Sequence, residues 1–425
     1  MRRWAFCIVL SGLFSPVFSG FSSELNRPNI LFILADDLGY EMLGSYGSLE
    51  VETPRLDQLA REGMRFSRAY GSAVCTPTRM SLYTGQYPTR HGHNGVLPVH
   101  VGTKRAVDFV DEFPCYAQSM QKAGYLTAVT GKWQLATLEF HPEHIRQAGF
   151  ETWCVWQIWR EGAKTIRFWD PCLNQDGEIL TGLERKFGPD VLVEYVVACM
   201  QRAKKEGRPF FIHHNMLLPH VPIVDTPKNR KAGESGSLQG MIRYMDYLVG
   251  ELVDAVDEMG IAEETCIVFL GDNGTDTVGQ ARETRDGTVK GGKRTLDDGG
   301  THLPLIVRWK GKVSAESVAD DLVDVVDLFP TFCELGGVPL PDGADFDGVS
   351  LTGRLLKGEP VGRKVTVAGY QKAFSVFDGD WRLNSDGTLI DARDLPRESI
   401  LKEEQIVGEA AAARERLLPY LETEE

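Results

Sequence analysis

The sequence has no closely spaced cysteine pair, no internal repeat, no low-complexity linker and no excess of positive charge. Its eight cysteines (Cys7, Cys75, Cys115, Cys154, Cys172, Cys199, Cys266 and Cys333) are scattered, which argues against a Cys-x-x-Cys zinc site and against a disulfide-dense scaffold. Cys154 and Cys172 could bridge across a loop in an oxidising compartment, whereas Cys199 and Cys266 read as core residues of a helix and a strand. With 46 Lys and Arg against 60 Asp and Glu, the formal charge is −14, which disfavours nucleic acid and anionic membrane surfaces as partners. An anionic substrate must then be drawn by local positive charge.

Long apolar runs are equally scarce. Only the first 20 residues stand out: Arg2 and Arg3 precede the apolar residues 4–14, and Val17-Phe18-Ser19 offers a small-residue cleavage site. This reads as a secretory signal peptide, so the expectation is an exported protein, periplasmic or secreted. No other stretch is long and apolar enough to cross a bilayer, so no membrane span is expected in the mature chain.

What is present is alternation. Residues 29–34, 126–130, 210–215, 265–270 and 305–309 are short apolar runs typical of buried strands. Helical patterns at 54–63, 115–122, 190–205 and 238–259 separate them. The order predicts an α/β fold with a large, mostly parallel sheet flanked by helices. From about residue 342, short strands at 362–366, 374–378, 381–384 and 388–390 and a helix at 403–418 predict a smaller C-terminal antiparallel sheet plus helix. The expected division is a signal peptide at 1–20, a catalytic α/β domain at 26–341 and a small α+β subdomain at 342–425.

The polar residues fall in one kind of place. Asp36-Asp37, Lys132, His220 and Asp272-Asn273 each follow the carboxyl end of an apolar strand. In a parallel sheet those ends share one edge, where ligands bind. Asp36, Asp37, Asp272 and Asn273 are oxygen donors suited to a hard cation such as Ca²⁺ or Mg²⁺. Taken singly, they read as helix caps or turns.

The segment Cys75-Thr76-Pro77-Thr78-Arg79-Met80-Ser81-Leu82-Tyr83-Thr84-Gly85 reads as a short helix, with Pro77 in its first turn and Gly85 closing it. Cys75 then lies at a helix N-terminus, where free N–H groups favour an anion, and Arg79 lies one turn further on. The plain alternative is a small buried cysteine starting an ordinary helix.

The C-x-P-x-R core followed by L-x-T-G resembles the signature of the formylglycine-dependent sulfatases, arylsulfatase-like members of the alkaline phosphatase superfamily. The resemblance runs strongly over residues 28–309 and loosely beyond. It implies that Cys75 is converted to formylglycine by a formylglycine-generating or other sulfatase-maturating enzyme. It also implies that Asp36, Asp37, Asp272 and Asn273, with residue 75, hold a metal, usually Ca²⁺. Lys132, in Gly-Lys-Trp, and Lys293, six residues before Gly299-Gly300, would contact the sulfate. His220, in Pro-His-x-Pro, would be the pocket histidine, and Arg79 the signature arginine. Gln134 stands where the pattern has a histidine; it can hydrogen-bond an aldehyde hydrate but cannot shuttle a proton. His302 likewise replaces an arginine, while His213 and His214 match nothing and read as structural.

The implied activity is hydrolysis of a sulfate ester. Four tryptophans within residues 153–169 favour a sulfated carbohydrate, against the plainer reading of a hydrophobic loop. The alternatives are a phosphomonoester or phosphonate hydrolase on the same scaffold, or a non-catalytic glycan-binding homologue.

Overall fold

The computed structural model describes residues 27–276, 280–341 and 343–421. The signal-peptide reading, and residue 342 at the expected domain boundary, lie outside them. Among the described residues, no helix is long and apolar enough to cross a membrane.

Among the described residues, ten strands form one sheet. Its centre is the strand Asn29–Asp36, flanked in parallel register by Thr265–Gly271 and Phe210–Pro219. Leu126–Gly131 and Thr152–Trp156 extend the parallel set on one side. The centre is apolar on both faces because helices cover both. Leu31 and Ile33 pack toward the helices Gly188–Glu206 and Leu238–Glu258, while Ile30, Phe32 and Leu34 pack toward Cys75–Thr84, Tyr116–Lys122 and Leu328–Leu335. A continuous hydrophobic run is what two covered faces require.

Two strands depart from the parallel pattern. His302–Arg308 runs antiparallel to both Thr265–Gly271 and Met64–Tyr70, and Leu173–Gln175 runs antiparallel to Thr152–Trp156. The sheet is therefore mixed. The second pairing also rules on Cys154 and Cys172, which are both free thiols. Cys154 faces Gln175 and Trp156 faces Leu173, so Cys172 falls opposite residue 157. Three residues of offset is roughly 10 Å along a strand, beyond the reach of a disulfide.

A separate sheet of five antiparallel strands spans Thr366–Tyr370, Ala373–Phe377, Trp381–Asn384, Leu389–Asp394 and Arg397–Ile400, in sequence order. The helix Glu409–Leu417 covers it through Ala413 and Leu417. The strand expected at 362–366 starts later because the segment before it is pinned by the Arg363–Asp327 ion pair, buried on both sides. The helix expected from 403 is a short 3-10 turn, Glu403–Gln405, followed by the α-helix only after Gly408, whose φ is 56°.

Candidate active site

The helix Cys75–Thr84 begins at Cys75 and ends at Gly85, whose φ of 68° is the left-handed closing conformation that favours glycine. All ten of its residues are buried. Arg79, one turn beyond Cys75, is 1% exposed. Its guanidinium donates from Nη2 to Asp272 Oδ2 at 2.8 Å and from Nη1 to Asn215 Oδ1 at 2.5 Å, and lies 3.6 Å from Asp36 Oδ1.

The first acidic pair sits where the central strand ends. Successive strand residues face opposite ways. Asp37 breaks that alternation with a left-handed backbone, φ 68°, and both carboxylates reach the same edge. Asp36 accepts from Lys132 Nζ at 2.7 and 2.9 Å, and Asp37 Oδ2 accepts from Lys293 Nζ at 2.6 Å. Asn273 Nδ2 donates to Asp37 Oδ1 at 2.9 Å, and Asp272 Oδ1 accepts from the Asp37 amide at 2.9 Å. Lys132 is set by its neighbour. Gly131 has φ 85°, and a Cβ there would lie 1.7 Å from the Asn215 carbonyl, so only glycine fits.

His220 completes the group. Its Nε2 lies 3.3 Å from Lys293 Nζ and 3.6 Å from Asp37 Oδ2. Burial, with Lys132 and Lys293 close by, pushes it down to about 4 despite the nearby Asp36 and Asp37, so it is neutral at neutral pH. Burial opposes the charge on Lys293, but Asp37, Cys75 and Asp36 together outweigh it and hold the ammonium charged.

Cys75, Lys132, Gln134, His220 and Lys293 line one cavity of about 550 Å³. Asp36, Asp37, Asp272, Asn273 and Arg79 are not among its lining residues and lie behind it. Lys132 and Lys293 reach from the lining to those carboxylates, so six separate chain segments meet at one place. Trp156 and Ile158, from the tryptophan-rich segment, form part of the cavity wall.

The carboxylate set has the chemistry of a cation site. Ligand atoms of Asp36, Cys75 and Asp272 lie within 4.8 Å of one another, as do those of Asp36, Asp37 and His220. Asn273 Oδ1 is buried with no hydrogen-bond partner. Asp272 is pushed up to about 7 by burial and by the charges of Asp36 and Asp37, against the pull of Arg79 and Lys132. An orphaned oxygen beside crowded buried carboxylates is what a hard cation would relieve.

The Sulfatase family model matches residues 28–338, which spans the whole ten-stranded sheet and every site residue named above. The chain belongs to the sulfatase family. It is 32% identical to human arylsulfatase A over 352 residues, covering 77% of this chain and 68% of that one. It is 28% identical to human N-acetylgalactosamine-6-sulfatase, covering 81% and 69%. Among solved structures, Ps i-CgsB in complex with k-i-k-neocarrahexaose superposes with a TM-score of 0.75 at 23% identity, covering 93% of this chain and 91% of that one. The phosphonate monoester hydrolase of Agrobacterium radiobacter shares the fold at a TM-score of 0.61 and 21% identity, covering 93% and 95%. The sulfatase is therefore an enzyme that hydrolyses sulfate esters.

Several lining residues carry no sequence signal of their own. Arg167 donates from Nη2 to His220 Nδ1 at 2.8 Å and to the Val221 carbonyl, and Arg294, Tyr370 and Gln371 complete the rim. Asn215 gave a faint signal as the polar end of an apolar strand. Arg167 gave none, because only the tertiary fold brings it beside His220.

Proposed function

We propose that this sulfatase releases sulfate from a sulfated carbohydrate, using a formylglycine made from Cys75 and a bound Ca²⁺. The observation that carries the reading is the convergence of Cys75, Lys132, Lys293, His220 and Gln134 on one cavity backed by the buried carboxylates.

In this reading Asp36, Asp37, Asp272, Asn273 and residue 75 hold the cation, with Mg²⁺ the lesser fit to an irregular all-oxygen set. The cation supplies Lewis-acid stabilisation of charge on the sulfuryl oxygens. As an aldehyde hydrate, residue 75 supplies one hydroxyl to attack sulfur and a second whose deprotonation expels sulfate and restores the aldehyde. Lys132 and Lys293 hold the sulfuryl oxygens. Lys293 Nζ, the charged member of the pair, protonates the departing alcohol, and the neutral His220, its Nε2 3.3 Å away, orients that ammonium. Arg79 positions Asp272 and Asp36 from behind. Gln134 orients the hydrate without moving a proton. The helix N-terminus at Cys75 adds free amide donors where negative charge develops.

Export after signal-peptide removal, a separate maturation enzyme and a division into a catalytic domain at 26–341 and a C-terminal subdomain at 342–425 belong to the same reading. Trp156 in the cavity wall suits a sugar ring. Mass spectrometry of the tryptic peptide 69–79 from protein made in its native host should show the aldehyde or its hydrate at position 75. A peptide carrying only unmodified cysteine, from protein that still releases sulfate, would overturn the nucleophile assignment.

A further inference from the structure

The cations of the site divide into two groups. Arg79 is paired with Asp272, Lys132 with Asp36, Lys293 with Asp37, and Arg294 with Asp276 at 2.7 Å. Lys164 and Arg167 are different. Both line the cavity, and neither forms an ion pair with a carboxylate among the described residues.

Arg167 is 5% exposed, and its Nε is buried with no hydrogen-bond partner. Its contacts are to the neutral His220 and the Val221 carbonyl, and its guanidinium lies 4.7 Å from the centroid of the Trp156 ring. Lys164 Nζ lies 5.9 Å from the same ring. Lys164 is held there by a two-strand hairpin, Trp159–Arg160 paired with Ala163–Lys164. Glu161 and Gly162 at its tip have φ of 52° and 80°, the paired left-handed turn that matches strand twist. Burial, with Arg167 and Lys132 adding to it, lowers Lys164, and burial lowers Arg167. A buried guanidinium with an unmet donor, beside a second unpaired ammonium, is costly unless an anion arrives. In a chain of net charge −14, this local surplus stands apart.

We propose that Lys164 and Arg167 form a second anion subsite, so that the preferred substrate is a sugar carrying another negative group besides the reacting sulfate. This rests on the proposed reading in which Lys132 and Lys293 hold the reacting sulfate. Trp156 lines the same cavity and lies against both Lys164 and Arg167, where a sugar ring could pack beside them. The second group is a sulfate or a carboxylate, since a guanidinium fork accepts either.

The test is equilibrium binding, so that it does not depend on turnover. Full-length protein carrying Cys75→Ser, with Ca²⁺ at fixed concentration, is titrated with a monosulfated hexose, the same hexose disulfated, and a monosulfated uronic acid. At least one doubly charged ligand should bind about tenfold more tightly than the singly charged one, and that preference should shrink as salt is raised. The exposed Lys164→Ala variant should cut the preference to about twofold, and Arg167→Met should do the same while keeping the stacked volume. Which doubly charged ligand gains tells sulfate from carboxylate. No preference, no binding of any of the three, or a preference that survives both substitutions would overturn the subsite. Failure of the hydrolase reading shows elsewhere, as absence of turnover of a singly charged aryl sulfate by the Ca²⁺-loaded wild-type protein.

Discussion

Arg79 ties the helix of Cys75 to the strand end of Asp272: its Nη2 lies 2.8 Å from Asp272 Oδ2, and both side chains are almost wholly buried. Asn215 takes the other terminal nitrogen. One guanidinium therefore ties together three elements, the middle of the helix Cys75–Thr84, the middle of the strand Phe210–Pro219 and the end of the strand Thr265–Gly271. Breaking a buried pair by removing one partner leaves an uncompensated charge, at a cost of about 3–5 kcal/mol. The arginine of the signature motif thus acts on the site through its carboxylates, from behind the cavity.

Asp272→Ala tests the cation site. The substitution removes a charged ligand, so activity should collapse and stabilisation by Ca²⁺ should vanish, because a ligand stabilises only the state that binds it. Thermal melts with and without Ca²⁺ read the second effect without needing turnover. If the variant still melts higher with added Ca²⁺, the ligand assignment is wrong.

His220 and Gln134 separate by role. Both line the cavity, but only His220 stands within 3.3 Å of the Lys293 ammonium. His220→Ala should slow turnover roughly a hundredfold or more on a substrate with a poor leaving group. Gln134→Ala removes a neutral hydrogen-bonding group and should cost only about 0.5–1.5 kcal/mol. Equal damage from the two substitutions on that substrate would refute the division of labour.

His144, which does not line the cavity, gives a pH dependence of its own. Its Nδ1 accepts from Trp133 Nε1 at 3.0 Å, and its Nε2 donates to the Val107 carbonyl at 2.6 Å. A proton on Nδ1 would face the indole N–H, and burial pushes the group down to about 4. Between pH 6.5 and 4 the unfolded chain binds this proton and the folded one does not. Stability is therefore fully present above about pH 6.5 and falls through that window, by up to about 3 kcal/mol from this one residue. Histidine-selective NMR should show an Nε2–H tautomer that does not titrate above pH 5. A midpoint near 6.5 would mean that the contact with Trp133 does not constrain the ring.

The sheet edge that carries the site was legible because four buried strands end abruptly in charged or amide residues, and parallel order puts those ends together. Strand direction was less legible. Nothing in the composition of His302–Arg308 distinguishes an antiparallel strand from a parallel one, since both of its neighbours cover it equally. Lys164 and Arg167 were unreadable for another reason. Their function depends on the absence of a carboxylate partner, and partners in this site are set by contacts between segments far apart in the chain. The role of Asn215 is of the same kind, as its partner Arg79 is 136 residues away. Gly408, by contrast, was a visible weak point in the last helix, and the helix begins only beyond it.

The burial of the helix Cys75–Thr84 also sets a schedule. The groups that close over it come from late in the chain: Asp347 donates its amide to the Gly85 carbonyl, and Gly369 donates its amide to Ser72 Oγ at 3.1 Å. Those residues leave the ribosome more than 250 positions after the helix, which at ordinary synthesis speeds is an interval of roughly tens of seconds. Until they arrive, these contacts around the helix cannot form. If Cys75 is converted as proposed, the converting enzyme would have that interval in which to act, because the finished fold leaves the side chain 2% exposed.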